Sequence, residues 1–215
     1  MSGTLYLVPN LLGTVPPETV LPLRTMTAAR AISHWIVETP KAARAFLGTL
    51  AMPVPIAQLS ISALAEAAGD AGPDALLVPA RDGHDIGLLS DAGCPGIADP
   101  GAQVVAAAHR AGIRVVPLVG PSAILLALMA SGMNGQQFAF HGYLPQRADA
   151  REAALMRLEA DSKSHSRAQV FIETPYRNVA MLESIGKVLG AATRVCVAVD
   201  LTLPGESVIV APATA

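Results

Sequence analysis

"SDAGCPGIADPG", residues 90–101, is the stretch on which the fold turns. It follows the apolar run "DIGLL" (85–89) and runs into "GAQVVAAAHRAG" (101–112), which has a helical pattern ending on glycine. A strand, a loop rich in glycine and proline, and a helix in direct succession are one half of a βαβ unit. In open α/β sheets, ligands lie beyond the carboxyl ends of strands, where such a loop begins. Glycines at 93, 96 and 101 let backbone approach a ligand closely or adopt positive φ. Backbone N–H groups at the helix start suit an anion or a carboxylate. Asp91, just past the strand, suits a cationic or hydroxyl-bearing ligand. The alternative is a tight turn in which Asp99 caps the helix, and the stretch alone leaves both open. The spacing is neither G-x-G-x-x-G nor a Walker A loop, since no lysine follows.

The same grammar extends in both directions. "TLYLVP" (4–9), "HWIVE" (34–38) and "IRVVPLV" (113–119) read as buried strands, and residues 40–50 as a helix with Pro40 in its first turn. "PVPIAQLS" reads as a loop or edge segment because proline donates no ladder bond. "SALAEAAGDAG" reads as a helix closing on glycine. Beyond "VGPS" the pattern restarts, with helix 121–131, strand 137–144, helix 149–160, strand 168–174, helix 177–189, strand 194–201 and a last strand at 207–213. "ADSKSHSRAQ" (160–169) reads as an exposed loop. Continuous apolar strands joined by helices imply sheets covered on both faces. The expected fold is α/β, with an N-terminal α/β domain over 1–119 and a C-terminal one over 120–215. The chain stops soon after its last strand, which leaves room for a closing strand or helix beyond it.

Bulk properties narrow the function. The 215 residues are 52% hydrophobic and 15% charged, so the chain buries a real core and is not disordered. A net charge of −2 favours no polyanion globally, so a nucleic-acid partner needs a local basic patch. Cys94 and Cys196 fit no metal spacing and read as reduced thiols in a cytoplasmic protein. The five histidines fit no metal spacing either, so no metal is expected. The start of the chain lacks a basic n-region. Residues 115–146 hold no Asp, Glu, Lys or Arg, but Pro117, Gly120 and Pro121 interrupt the run, so no membrane span is expected.

Three further breaks share the form of the first. "VVPLVGPSAILL" pairs Gly120 and Pro121 with a Ser122 hydroxyl at a helix start. "VFIETPYRN" (170–178) ends an apolar strand on Glu173, with Tyr176 and Arg177 in the turn. "AVDLTLPGE" (198–206) ends another on Asp200.

Together these segments resemble the tetrapyrrole-methylase superfamily of S-adenosylmethionine-dependent methyltransferases, nearest to the small-subunit ribosomal RNA methyltransferase I branch. Ser90 to Gly101 matches that branch's "SDAGTPGISDPG", with Cys94 at the threonine. "VVPLVGPSA" (115–123) matches "VVPLPGPSA", "FHGYLP" (140–145) matches "FEGFLP", "FIETPYR" (171–177) matches "FYEAPHR", and "GTLYLVP" is also similar. The resemblance covers most of the chain in order. It implies two α/β domains with the cofactor, S-adenosylmethionine, in a cleft between them, and a homodimer. Carried over by motif, Leu12, Asp91, Cys94, Ser122, Ala123 and Leu201 would bind the cofactor, with the Glu173 region alongside. Two segments depart from the branch: "VETPK" (37–41) stands for "AEDTR", and "AVDLT" (198–202) for "ARELT". The cofactor site is therefore better supported than the RNA substrate. The first loop, "VPNLLG", lacks the glycine-rich form of the corrin and porphyrin methylases, which argues against a tetrapyrrole substrate.

The implied function is methyl transfer to RNA, at a ribose 2′-O of small-subunit ribosomal RNA. Alternatives are a methyltransferase of a small tetrapyrrole-like molecule, or an inactive cofactor-binding interaction protein. A ribose hydroxyl needs a base as it attacks. Glu173, Asp200 and Glu38 are the candidate catalytic carboxylates, with Asp91 a further one, and Lys41 and Arg177 could hold a phosphate. Arg147, Arg151, Arg157, Lys163 and Arg167 could form an RNA-facing surface, or an ordinary solvated helix face beside Asp149, Glu152, Glu159 and Asp161.

Overall fold

The computed structural model describes residues 2–65 and 72–214. The chain packs into two compact units, Met1–Ser122 and Ala123–Ala215, which part three residues beyond Val119.

The first unit carries strands β1 (Thr4–Leu7), β2 (His34–Val37), β3 (Ser60–Ala63), β4 (Ile86–Leu89) and β5 (Arg114–Pro117), all parallel, in the order β3-β2-β4-β1-β5. Its helices are α1 (Leu23–Ala31), α2 (Pro40–Thr49), α3 (Gly72–Ala75), α4 (Val78–Arg81) and α5 (Gly101–Arg110). Side chains alternate across the sheet as strand geometry requires. Trp35 and Val37 of β2 and Leu89 of β4 join one core with Met26 and Ala29 of α1 and Phe46 and Leu47 of α2. Ile36, Ile86 and Leu88 point the other way, into a second core with Ala80 of α4 and Val104, Ala107 and Ala108 of α5. The central strand β4 is buried along its whole length, which is why "IGLL" reads as unbroken apolar sequence. Gly87 of β4 faces the Trp35 ring so closely that a Cβ there would lie 2.5 Å from an indole carbon.

Ser60–Ala63 forms the edge strand β3 beside β2, so Ser62 and Ala63 are strand, not the start of a helix. Residues 66–71 of that expected helix lie outside the described residues.

The strand order also locates a switch point. From β1 the chain crosses to β2 on the far side of β4, and from β4 it crosses to β5 on the far side of β1. The connections leave in opposite directions, so a crevice opens at the carboxyl ends of β1 and β4, the position where ligands bind in such sheets.

At the opposite edge, the rings of His34 and His84 stack with centroids 4.8 Å apart. Burial, and then the neighbouring His84, push the His34 imidazole below its usual value. An unfolded histidine titrates near about 6.5. Just below that pH the unfolded chain therefore binds more protons than the folded one. The His34 contribution to stability is complete above pH ~6.5 and is lost as pH falls through the lowered folded value. The urea midpoint of the wild type is expected to fall between about pH 7 and pH 5 more steeply than that of His34→Gln. Equal slopes would remove the pair from the account.

The second unit carries β6 (Phe138–Tyr143), β7 (Ala168–Ile172), β8 (Arg194–Val199) and β9 (Ser207–Pro212), with β6 and β7 parallel and β8 and β9 an antiparallel pair. Helix α6 (Ala123–Ser131) packs on β7, β8 and β9, and α7 (Ala148–His165) packs on β7 and α8 (Asn178–Val188). Leu144, Leu155, Met181 and Ile185 form its core. Helix α7 runs to His165, through residues whose polarity suggested a loop. Its last turn is held by Asp161, which takes a fork of hydrogen bonds from Arg167 at 2.6 and 2.6 Å. Those bonds hold the Asp161 carboxyl down at about 2. Among the described residues, no helix is long and apolar enough to cross a membrane.

Candidate functional site

Asn10 builds the carboxyl edge of the first unit. It follows β1, is 5% exposed, and was not singled out by its sequence. Its side-chain amide donates to the carbonyls of Ser90 (2.9 Å) and Asp91 (3.0 Å), and its side-chain oxygen accepts from the Leu11 N–H (2.8 Å). Its own N–H donates to the Gly93 carbonyl at 2.9 Å. One buried side chain thus ties the loop after β1 to the loop after β4. The only cue to it is a polar residue one position past "LVP".

The Ser90–Gly101 loop is shaped by backbone. Gly93 has φ +66° and Gly96 φ +86°, conformations that L side chains rarely adopt. A Cβ on Gly93 would lie 3.3 Å from Leu12 and 3.5 Å from the Pro121 carbonyl, so its bare backbone sits between the other two loops. Gly120 approaches Pro9 more closely still, with a hypothetical Cβ 2.3 Å from the ring. The Cys94 thiol donates to the Pro121 carbonyl at 3.5 Å, and burial pushes that thiol up. Leu12, Asp91, Cys94 and the Pro121–Ser122 turn therefore converge within this unit.

Asp99 resolves the two readings of the loop's far end. Its carboxylate accepts from the N–H groups of Gly96 (3.0 and 2.8 Å) and Gly101 (2.6 Å). The first N–H of α5 is thus taken by the chain's own carboxylate, not by an external anion. Burial pushes the Asp99 carboxyl up, and the hydrogen bonds from Gly101, Gly96 and Ile97 oppose it.

Glu38, after β2, completes this edge. Its Oε2 accepts the Asp91 N–H at 3.0 Å. Asp91 in turn accepts from the Thr39 N–H (3.1 Å) and the Thr39 hydroxyl (2.7 Å). The ends of β2 and β4 are thus tied together, the Glu38 carboxylate to the Asp91 backbone and the Asp91 carboxylate to Thr39. A cavity of about 210 Å³ opens beside Asp91, lined among others by Asn10, Leu12, Phe46 and Thr49. Lys41 is exposed at the start of α2.

The remaining candidates belong to the second unit. Glu173 follows β7 and is nearly buried, with Oε1 accepting the Thr174 N–H at 2.8 Å. Its Oε2 lies 3.0 Å from an Arg177 nitrogen but is in no hydrogen bond of good geometry, so the contact is an ion pair only. Arg177 is largely buried, and its Nη2 donates to the carbonyls of Leu144 (2.8 Å) and Pro145 (3.3 Å), so little of it faces solvent to hold a phosphate. Asp200 is exposed in the turn between β8 and β9 with φ 52°, and Leu201 beside it is buried. Ala123 opens α6. Among the described residues, no hydrogen bond or ion pair joins Glu173 to Asp200. Arg151 also leaves the candidate RNA surface: it is 7% exposed and donates to Ser184 and the Gln146 carbonyl. Arg147 pairs with Asp149, as on a solvated helix face.

Comparison with known proteins gives one consistent result. The family model described as "Tetrapyrrole (Corrin/Porphyrin) Methylases" matches residues 19–215. The chain is similar to "Ribosomal RNA small subunit methyltransferase I" of Escherichia coli O157:H7, 40% identical over 65% of this chain and 47% of that protein. It is similar to the protein of the same name from Mesorhizobium japonicum, 35% identical over 94% of this chain and 65% of that protein. The chain thus spans about half to two thirds of the length of these curated relatives. Among solved structures it is similar to uroporphyrin-III-C-methyltransferase from Thermus thermophilus, 21% identical with TM-score 0.57, covering 99% of this chain and 84% of that one. It is also similar to the methyltransferase CobJ, 18% identical with TM-score 0.63, covering 99% and 87%. At these identities the structures speak for the fold.

Proposed function

Because this chain belongs to the tetrapyrrole (corrin/porphyrin) methylase family, whose model matches residues 19–215, we propose that it is an S-adenosylmethionine-dependent methyltransferase that methylates a ribose 2′-O of small-subunit ribosomal RNA. The observation that carries the reading is the Asn10-latched loop Ser90–Gly93 at the switch point of the parallel sheet. The RNA substrate is supported by relatives at 35–40% identity named for it. A small-molecule acceptor has only the more distant structural likenesses behind it.

The residues of the first unit fit part of the cofactor. Bare backbone at Gly93 leaves room beside Leu12, and Asp91 suits a cationic group. A cavity of about 210 Å³ is smaller than the roughly 300–1,000 Å³ of whole-ligand pockets, so it accepts a portion only. Leu12, Asp91, Cys94 and Ser122 are the holding residues proposed in this unit, and Ala123 and Leu201 those proposed in the other. When bound, S-adenosylmethionine supplies an electrophilic methyl on a cationic sulfur. The chain's own task is to fix an acceptor hydroxyl, exclude water and take its proton as the new bond forms. Glu38, Glu173 and Asp200 are the carboxylates for that proton, and Glu38 is favoured because it borders the latched loop.

A homodimer is part of the same proposal. Leu125 and Met129 of α6, and Ile209 and Val210 of β9, are exposed apolar side chains on elements that pack together. A cytoplasmic location follows from the proposed substrate.

Calorimetric titration with S-adenosylmethionine tests the cofactor. Wild-type binding, weakened by both Asp91→Ala and Ser122→Ala, is the expected result. No binding at millimolar cofactor would defeat the reading.

A further inference from the structure

On the second unit, a groove of about 570 Å³ opens at the amino ends of β7 and β8. None of the candidate catalytic or cofactor residues lines it. Lys163, Arg167 and Arg194 do, with the carboxylate of Glu159 in the lining and that of Asp161 paired to Arg167. The Glu159 carboxylate is spent internally. It accepts from the Gly190 N–H (2.8 Å) and the Thr193 hydroxyl, and Lys163 stands 3.1 Å away. These contacts, the Thr193 hydrogen bond first, hold the Glu159 carboxyl below its usual range. Its side chain is 14% exposed, whereas that of Lys163 is 65% exposed. Asp161 engages Nε and one terminal nitrogen of Arg167, and leaves Nη1 over. Arg194 is exposed and, among the described residues, is in no ion pair.

The rim is held in place. Ser166 ends α7 in a left-handed conformation (φ 51°), and its carbonyl accepts from Asn134 at 2.6 Å. Three cations face the carboxylates of Glu159 and Asp161 and the carboxyl end of α7, which adds about half a negative charge, so a small positive balance remains, carried by Arg194, which is outside the ion pairs of Lys163 and Arg167. In a chain with a net charge of −2, the groove sets two exposed cations, Lys163 and Arg194, on one local surface, which is where a nucleic-acid backbone would find its partners. No aromatic residue lines it, so base stacking is not its chemistry. Its donors suit phosphate oxygens.

We propose that this groove is an RNA-backbone site, in which Lys163, Arg167 and Arg194 hold phosphodiester groups of single-stranded RNA. The proposal rests on the reading that the methyl acceptor is RNA. It adds a second contact region, which sets affinity and register and takes no part in the methyl transfer.

The test is fluorescence anisotropy with a labelled single-stranded RNA of about 12 nucleotides, across a salt series. The proteins are the wild type, Lys163→Ala, Arg194→Ala and the double variant. Each single change is expected to weaken binding several-fold and to flatten the slope of log K against log salt by about 0.7, the share of one phosphate contact. Thermal melting and the calorimetric affinity for S-adenosylmethionine should not move. Wild-type affinity and slope in the double variant would overturn the proposal, as would no binding of RNA by the wild type at low salt. Loss of inorganic pyrophosphate binding with RNA binding intact would assign the groove to a small anion and also overturn it. Methyl transfer to RNA with groove variants unaffected sinks the groove and spares the function. Groove variants that lose RNA in a protein with no methyl transfer do the reverse.

Discussion

Glu38→Gln is expected to lower the rate of methyl transfer to small-subunit ribosomal RNA by roughly 10²–10⁴-fold, the range for loss of a general base, with affinity for S-adenosylmethionine unchanged. The substitution is chosen to remove basicity and little else. Glu38 holds the Asp91 N–H through Oε2 at 3.0 Å, and a glutamine oxygen can accept the same bond. The latch on the Ser90–Gly93 loop should therefore survive, as an unchanged melting temperature would show. The contrast is Glu173→Gln, which leaves a buried Arg177 beside a neutral partner. Its main effect should be on stability, because breaking a buried pair exposes the cost of the remaining charge. If Glu38→Gln turns over like the wild type, the base lies elsewhere and Asp200→Asn becomes the next variant to assay.

What the sequence disclosed about this site follows from where the information is stored. The glycines of residues 90–101 were legible because positive φ restricts residue choice, and Gly93 and Gly96 are indeed in that conformation. The strand-end acids were legible as polar residues closing apolar runs. Their partners were not. Nothing adjacent to Asp91 says that Thr39 supplies two of its hydrogen bonds, because that contact spans 52 positions. Arg177 looked available because a charged residue in a turn is usually solvated. Its burial comes from the carbonyls at the end of β6, which no local pattern announces.

The fold was more legible than the site. Parallel strands buried on both faces read as unbroken apolar runs, and β4 is buried at all four positions. The errors fell where local chemistry was outvoted. Ser62 and Ala63 resemble a helix start, and become strand because the open edge of β2 pairs with Ser60–Ala63. Residues 161–165 looked like a loop by polarity, but Lys163 and His165 suit the last turn of a helix whose dipole favours cations there.

Asn10→Ala should be the most damaging polar substitution in the first unit, at about 2–4 kcal/mol of unfolding free energy. The side chain is buried and meets three backbone groups that pair nowhere else so well: the Ser90 and Asp91 carbonyls and the Leu11 N–H. Truncation leaves those groups to find water in a 5% exposed site, and unpaired buried groups cost about 1–3 kcal/mol each. The loss should appear as a lower urea midpoint at constant slope. Cofactor affinity should fall by at least about tenfold, or 1.4 kcal/mol, because the loop that carries Asp91 and Gly93 keeps only the backbone bond from residue 10 to Gly93. Asn10→Asp separates hydrogen bonding from shape. It keeps the volume and the acceptor for Leu11, but when ionised it presents two acceptors to two carbonyls. When protonated it can donate to one of them. Its deficit relative to the wild type should therefore be smaller at about pH 4 than at pH 7, whereas that of Asn10→Ala should not depend on pH in this way. An Asn10→Asp deficit that does not change with pH would show that space, and not the two donated hydrogen bonds, is what this position contributes.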